Sequence, residues 1–256
     1  MDSIILAYKD LSVIIFCFAI LSFLISIIVK RNDIADVSWG IGFIIVSSYL
    51  LFRGVENQLA VIICCCVILW GLRLSIHIGI RNSKKSEDFR YKQWREEWGK
   101  AILWRSFLQV YCLQMFILLI LAAPIITLAK ADTPVSIYAY HIIFIATWSI
   151  GFLWEAIADY QLTQFKKSNT GKVLTTGLWR YSRHPNYFGE LIMWWSLFFI
   201  VLPTEYGIYT IVCPVLLTFL LFKVSGVPML EEKYANNEEY KNYIQRTAAI
   251  IPFIKF

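Results

Sequence analysis

Charge is scarce in this sequence. Only 16% of its 256 residues are Asp, Glu, Lys or Arg, against roughly 25% in an ordinary soluble domain. Eighteen acidic and 24 basic side chains are too few to coat a water-soluble protein of this length. A soluble globular enzyme is therefore disfavoured from the start. Cysteine is present but in the wrong pattern for chemistry. Cys17, Cys64, Cys65, Cys66, Cys112 and Cys213 all sit in apolar runs, with no C-x-x-C and no Cys/His ligand spacing. That speaks against a disulfide framework and a zinc site, and no metal is expected. There is no G-x-G-x-x-G after a strand and no G-K-[ST], so a soluble nucleotide fold has no support. Nucleic-acid binding has none beyond positive charge in loops, and none is expected.

Apolar residues are abundant, at 58%, with 16% aromatic and a mean hydropathy of +0.59. These values exclude disorder. A bilayer core about 30 Å thick takes a helix of roughly 20 apolar residues. Seven such runs stand near 11–29, 34–52, 59–79, 104–129, 137–157, 187–203 and 206–223. None alternates with period two, which argues against a barrel. The first run is not read as a signal peptide: Met1 to Asp10 carries one Lys against two Asp, no A-x-A follows, and Lys30-Arg31 does. The expected class is an all-α integral membrane protein. About seven transmembrane helices form one bundle, a single domain over residues 1–256 with no internal repeat. The connections at 80–105 and 158–186 hold most of the Lys and Arg, whereas the alternate ones hold little beyond Arg53 and Lys130. By that asymmetry the N-terminus lies outside and the C-terminus in the cytoplasm, in a bacterial inner membrane or an ER membrane. From Met229 onward the chain is mixed-charge, with Tyr234, Tyr240, Tyr243 and Ile244 at roughly helical spacing. This predicts a short amphipathic helix against the bundle, ahead of an apolar end.

Ionisable groups within spans cost about 2.5–3.5 kcal/mol each to insert, so each needs a reason. Arg73 and His77 are four residues apart, as are Glu155 and Asp159, and Asn186 and Glu190. Residues four apart share a helix face. The economical explanation is a polar cavity open to the cytoplasm, with Asp36 at the start of the second span as a further candidate. Each pair also has a structural reading: a Glu155–Arg73 salt bridge, a snorkelling Asp159, a satisfied interior His77, a water-solvated Asp36.

The densest segment is GLWRYSRHPNYFGE, Gly177 to Glu190, which follows the basic stretch KKSNTGK. Pro185 suits a first helical turn. Arg180, Arg183 and the helix start make an anion site that would grip phosphates. Asn186 and Glu190 would donate to and accept from an amide or a ribose, and Trp179, Tyr181 and Tyr187 offer stacking faces. The alternative is a positive anchor with an aromatic belt. A second basic and aromatic cluster, Glu87, Asp88, Arg90, Tyr91, Trp94 and Arg95, is read as a loop that covers the cavity or binds anionic lipid headgroups.

Through RHPNYFGE the sequence resembles the steroid 5-alpha-reductase-like membrane proteins, in particular the DUF1295 branch. Further matching pieces are DVSWG at Asp36–Gly40, WGLRL at Trp70–Leu74, EDFRY at Glu87–Tyr91, FLWEAIADYQLTQFK at Phe152–Lys166 and IPF at Ile251–Phe253. The resemblance implies a cytoplasm-facing cavity that holds NADPH, which reduces a carbon–carbon double bond conjugated to a ketone in a steroid- or lipid-like substrate. It implies that Asn186 and Glu190 contact the nicotinamide carboxamide. Asp159 and Lys166 would meet the adenosine and phosphate part, and Arg73 would reach the cofactor. Lys172, Arg180, Arg183, His184, Tyr187 and, more weakly, Tyr243 complete the cofactor set. The carboxylate that polarises the ketone falls on Asp36, with His77 a second catalytic candidate. Two positions depart from the pattern. Trp70 stands where the family's steroid enzymes have a tyrosine, and its indole does not readily give up a proton. Thr163 replaces an arginine. A methyltransferase of the isoprenylcysteine or phospholipid type, using S-adenosylmethionine, shares an RHPxYxG core and an acidic-then-tyrosine tail and is the runner-up. A non-catalytic lipid-binding protein is the third reading. Expected partners are a lipid-like small molecule and membrane lipids.

Overall fold

The computed structural model describes residues 1–254 apart from 56, 132–134, 170, 233 and 235. Position 170 of KKSNTGK, and 233, 235 and 255–256 of the tail, thus lie outside the described residues. The described chain is helical: α1 (Asp2–Val29), α2 (Ile34–Phe52), α3 (Gln58–Ser83), α4 (Phe89–Leu121), α5 (Ala123–Ala129), α6 (Ala139–Ser168), α7 (Pro185–Val201), α8 (Gly207–Glu232) and α9 (Glu238–Arg246). Six of these, α1, α2, α3, α4, α6 and α8, are long and apolar enough to cross a membrane. The multi-pass, all-helical class is therefore right. The expected span at 187–203 corresponds to α7, whose 17 residues stand at the short end of spanning length.

One boundary departs from expectation. The span expected at 104–129 begins at Phe89, so Arg90, Tyr91, Trp94 and Arg95 of the cluster read as a loop are helical. Asp88 caps its start by accepting a hydrogen bond from the Arg90 N–H at 3.1 Å. Gly99, at φ +46°, turns the chain before the apolar part resumes at Ile102. Six of its first ten residues are charged or Gln, so the apolar run alone placed the start too late. A π-helical stretch over Ser106–Cys112 follows.

The helices group into two compact units. The first comprises Met1–Ser136 with Pro203–Thr210, the second Ile137–Leu202 with Ile211–Phe256. In the first, Phe43, Leu50, Ile63, Trp70 and Leu118 are fully enclosed, while Val13, Phe16 and Ile28 of α1 face outward, as lipid-facing residues do. Helices α2 and α3 meet at Gly40 and Gly71: a Cβ on either would stand 2.6 Å from the other's carbonyl oxygen. At the opposite end of α2, the Tyr49 hydroxyl donates to Asp10 of α1. In the second unit, α6 and α7 meet in the same way at Gly151 and Gly189. In lipid, where apolar surface gains nothing by leaving the solvent, backbone approach through small residues is a main source of helix association. The tail helix α9 forms as predicted, with Tyr240 and Tyr243 buried.

Gly189→Ala tests this contact. Its Cβ would stand 2.6 Å from Gly151 O and 2.8 Å from Glu155 N, backbone atoms that move only with their helix. The expected cost is about 1–3 kcal/mol, read as a lower melting temperature in detergent. Gly79→Ala, which meets open space, should leave the melting temperature level or raise it.

Candidate functional site

The second unit gathers most of the sequence-predicted residues. Gly151, Glu155 and Asp159 recur along one face of α6, and the Gly151–Gly189 approach draws α7 onto that face. Glu155 and Asp159 are 4% and 8% exposed. The Asn186 Nδ2 group donates to Asp159 Oδ1 at 3.3 Å. That bond sets which way the amide points. The buried Asn186 Oδ1 is left with no hydrogen-bond partner among the described residues. An unpaired buried acceptor costs about 1–3 kcal/mol, so its presence calls for a donor.

The RHP segment is fixed by the tail. The Trp179 indole donates to Ala158 O at 3.1 Å, and Leu178 N donates to Gln161 Oε1 at 3.0 Å, which seats the Gly177–Arg180 turn on α6. Ser182 bridges Ala248 in the one isolated β-bridge of the described residues, and the Arg183 and His184 N–H groups donate to Ala248 O and Ala249 O at 2.8 and 3.0 Å. The Arg183 guanidinium donates to Glu231 Oε1 at 2.7 Å and to the carbonyls of Thr247 and Ile244 at the end of α9. The Tyr243 hydroxyl donates to Trp179 O and Ser182 O. Arg183 and Tyr243, both expected to touch a cofactor, are thus engaged in holding the segment in shape. His184 is buried, 3.5 Å from Glu231, with Tyr187 stacked on its ring. Burial pushes the His184 pKa below its ordinary value, outweighing the Glu231 carboxylate that raises it. Burial likewise pushes the Tyr243 phenol up. Arg180, Lys166 and Lys172 are exposed, and Glu190 and Tyr187 are half-buried on the first turns of α7.

The first unit holds Asp36, Arg73 and His77. The last two are half-buried on α3. Asp36 is not a free carboxylate. Its Oδ1 accepts from the Tyr91 hydroxyl at 2.6 Å and its Oδ2 from Arg90 Nη2 at 2.9 Å. Trp70 is buried, edge-on to Phe43 at 5.4 Å. Around Asp36 runs a chain of ion pairs and hydrogen bonds that joins the α1–α2 turn to the start of α4. Arg90 Nε donates to Asp88 Oδ1 at 2.9 Å, Asp88 N donates to Asp33 Oδ2 at 3.2 Å, and Arg31 pairs with Asp33 at 2.6 Å. Burial works against the Asp88 charge, but the Arg90 guanidinium and its hydrogen bonds hold the carboxyl below its ordinary value. Glu87 accepts from Asn32 N at 2.6 Å and pairs with Arg95 at 2.9 Å. Arg90 and Tyr91, the partners of Asp36, stand in the sequence as part of EDFRY and of the basic and aromatic cluster expected to cover the cavity or bind headgroups. No local spacing ties them to Asp36.

A family model described as a protein of unknown function, DUF1295, matches residues 22–247, a stretch that includes every candidate residue above. An uncharacterized protein of Schizosaccharomyces pombe strain 972 is 25% identical over 202 residues, 68% of this chain. The chain spans 58% of that relative's length. No solved structure matches.

The His184 environment has a pH consequence. Its folded-state pKa lies below the ordinary 6.5, so between the two values the unfolded chain binds a proton that the folded chain does not. Stability should therefore decline as pH falls through about 6.5. The melting temperature of His184→Gln should vary less with pH between 7.5 and 5.5 than that of the wild type. Parallel profiles would contradict this.

Proposed function

Because the chain belongs to the DUF1295 family, the steroid 5-alpha-reductase-like branch, we propose that it is a membrane-embedded, NADPH-dependent reductase. Its substrate would be a lipid- or steroid-like ketone with a conjugated carbon–carbon double bond. The observation that carries this reading is the orphaned Asn186 Oδ1, a buried acceptor oriented by Asp159. The donor set fits a nicotinamide. A primary carboxamide offers an N–H to Asn186 Oδ1, and the exposed cations Arg180 and Lys172 suit the phosphates of the same cofactor. When bound, NADPH supplies the hydride that adds to the β carbon of the double bond. Asp159 positions Asn186, and Arg183, Glu231 and Tyr243 keep the segment that carries it in place.

In the first unit the resemblance assigns ketone polarisation to Asp36. The Tyr91 hydroxyl, bonded to that carboxylate at 2.6 Å, would be the proton-bearing group, since Trp70 stands where the family has a tyrosine. We assign the proton to Tyr91 Oη, with Asp36 positioning it. Arg90, 2.9 Å from the same carboxylate, offsets the charge left when the phenol gives up its proton. The Lys/Arg distribution supports an N-terminus outside and a cofactor end toward the cytoplasm.

A second reading, methyl transfer from S-adenosylmethionine, is favoured by one observation. Glu155, Asp159 and Glu190 bring three carboxylates to α6 and α7, which suits a cationic cofactor. Parallel calorimetric titration of the detergent-purified protein separates the two. The expected result is micromolar NADPH binding and none for S-adenosylmethionine. Asn186→Ala should weaken NADPH about tenfold, the worth of one buried hydrogen bond. Binding of S-adenosylmethionine alone would replace the reductase by a methyltransferase, and binding of neither would overturn both.

A further inference from the structure

A cleft of about 170 Å3 opens at the Lys30 end of the first unit, lined among others by Ser26, Ile27, Lys30, Asn32, Arg95, Leu103 and Ser106. Its lining is divided by chemistry. Ser26, Asn32 and Ser106 are polar and deeply set, at 2%, 5% and 2% exposed. Asn32 Nδ2 donates to Ser106 Oγ at 2.9 Å, which leaves the Ser106 hydroxyl proton for another acceptor. Lys30, which caps α1 in a left-handed conformation at φ 57°, has no acidic partner among the described residues. Arg95 binds Glu87 through Nε and Nη2 and keeps Nη1. The other wall is apolar, and its Ile27 and Leu103 are exposed, continuous with the outward surface of α1.

We propose that this cleft binds the headgroup of an anionic phospholipid, from the leaflet that borders the Lys30 end. An amphiphile with phosphate at one end and acyl chains at the other matches the division of the lining. The phosphate would meet Lys30, Arg95 and the Ser106 hydroxyl, while the chains run along Ile27 and Leu103 into the bilayer. The depth agrees as well. Trp94 and Trp98 stack at 5.5 Å on the polar start of α4, and Trp104, just beyond, is 54% exposed. Tryptophans so placed mark the membrane–water interface, where headgroups lie. The π-helical stretch that begins at Ser106 turns this part of α4 out of regular register, an irregularity frequent at functional sites. The proposal concerns the first unit alone and does not rest on the reductase reading.

The test places the full chain in nanodiscs of phosphatidylcholine, with or without about one-fifth phosphatidylglycerol, and reads the melting temperature. A lipid that binds the folded state raises it. Phosphatidylglycerol should raise the wild-type value, and Lys30→Gln should lose most of that rise. Lys84→Gln, which removes an equal charge from an exposed lysine outside the cleft, should keep it. Equal loss in both variants would make the effect a diffuse surface attraction and overturn the proposal. So would an undiminished rise in Lys30→Gln, or an equal rise from inorganic phosphate in phosphatidylcholine discs.

Discussion

A charge inside a bilayer span must be answered from within the protein, because no water is there to solvate it. That requirement organises both units of this chain. In the first, Asp36 lies in the first turn of α2 and is met by Tyr91 and Arg90 from the start of α4. In the second, Asp159 near the end of α6 is met by Asn186 from the start of α7. Each polar contact stands within about two turns of a glycine pair that lets two helix backbones touch: Gly40 with Gly71, Gly151 with Gly189. In the second unit, close approach of the α6 and α7 backbones lets the short side chains of Asp159 and Asn186 reach each other. A methyl group at the Gly151–Gly189 crossing would push α6 from α7 and lengthen the Asn186–Asp159 bond.

The tail extends the same logic outside the spans. RHPN must hold Asn186 at the first turn of α7, yet it follows a glycine-bearing connection. Its shape is imposed by Ala248 and Ala249, which accept its N–H groups, and by Glu231, which pairs with Arg183. The acidic-then-tyrosine tail thus works as a brace. Arg183 and Tyr243 act on any ligand through the segment they hold.

Much of this was legible beforehand. The apolar runs placed the long helices, α2 to the residue, because a continuous run of that length has few other folds. Four-residue spacing rightly put Glu155 with Asp159 on one helix face. What was not legible joins residues remote in sequence: Tyr91 with Asp36 across 55 positions, Glu231 with Arg183 across 48. No period encodes such pairs. The polar start of α4 was missed for a different reason. Its helix is set by the Asp88 cap and by hydrogen bonds from the residues just ahead of it to the α1–α2 turn, not by hydrophobicity.

The central claim is that Asn186 Oδ1 waits for a carboxamide N–H. A double-mutant comparison of ligand and protein tests it most directly. NADPH and its 3-acetylpyridine analogue, which keeps the carbonyl but lacks the amide N–H, would be titrated against wild type and Asn186→Ala. The account predicts that the analogue binds the wild type about tenfold more weakly than NADPH, and that this gap closes in the variant. The same gap in both proteins would contradict it, since the N–H would then be recognised elsewhere or not at all.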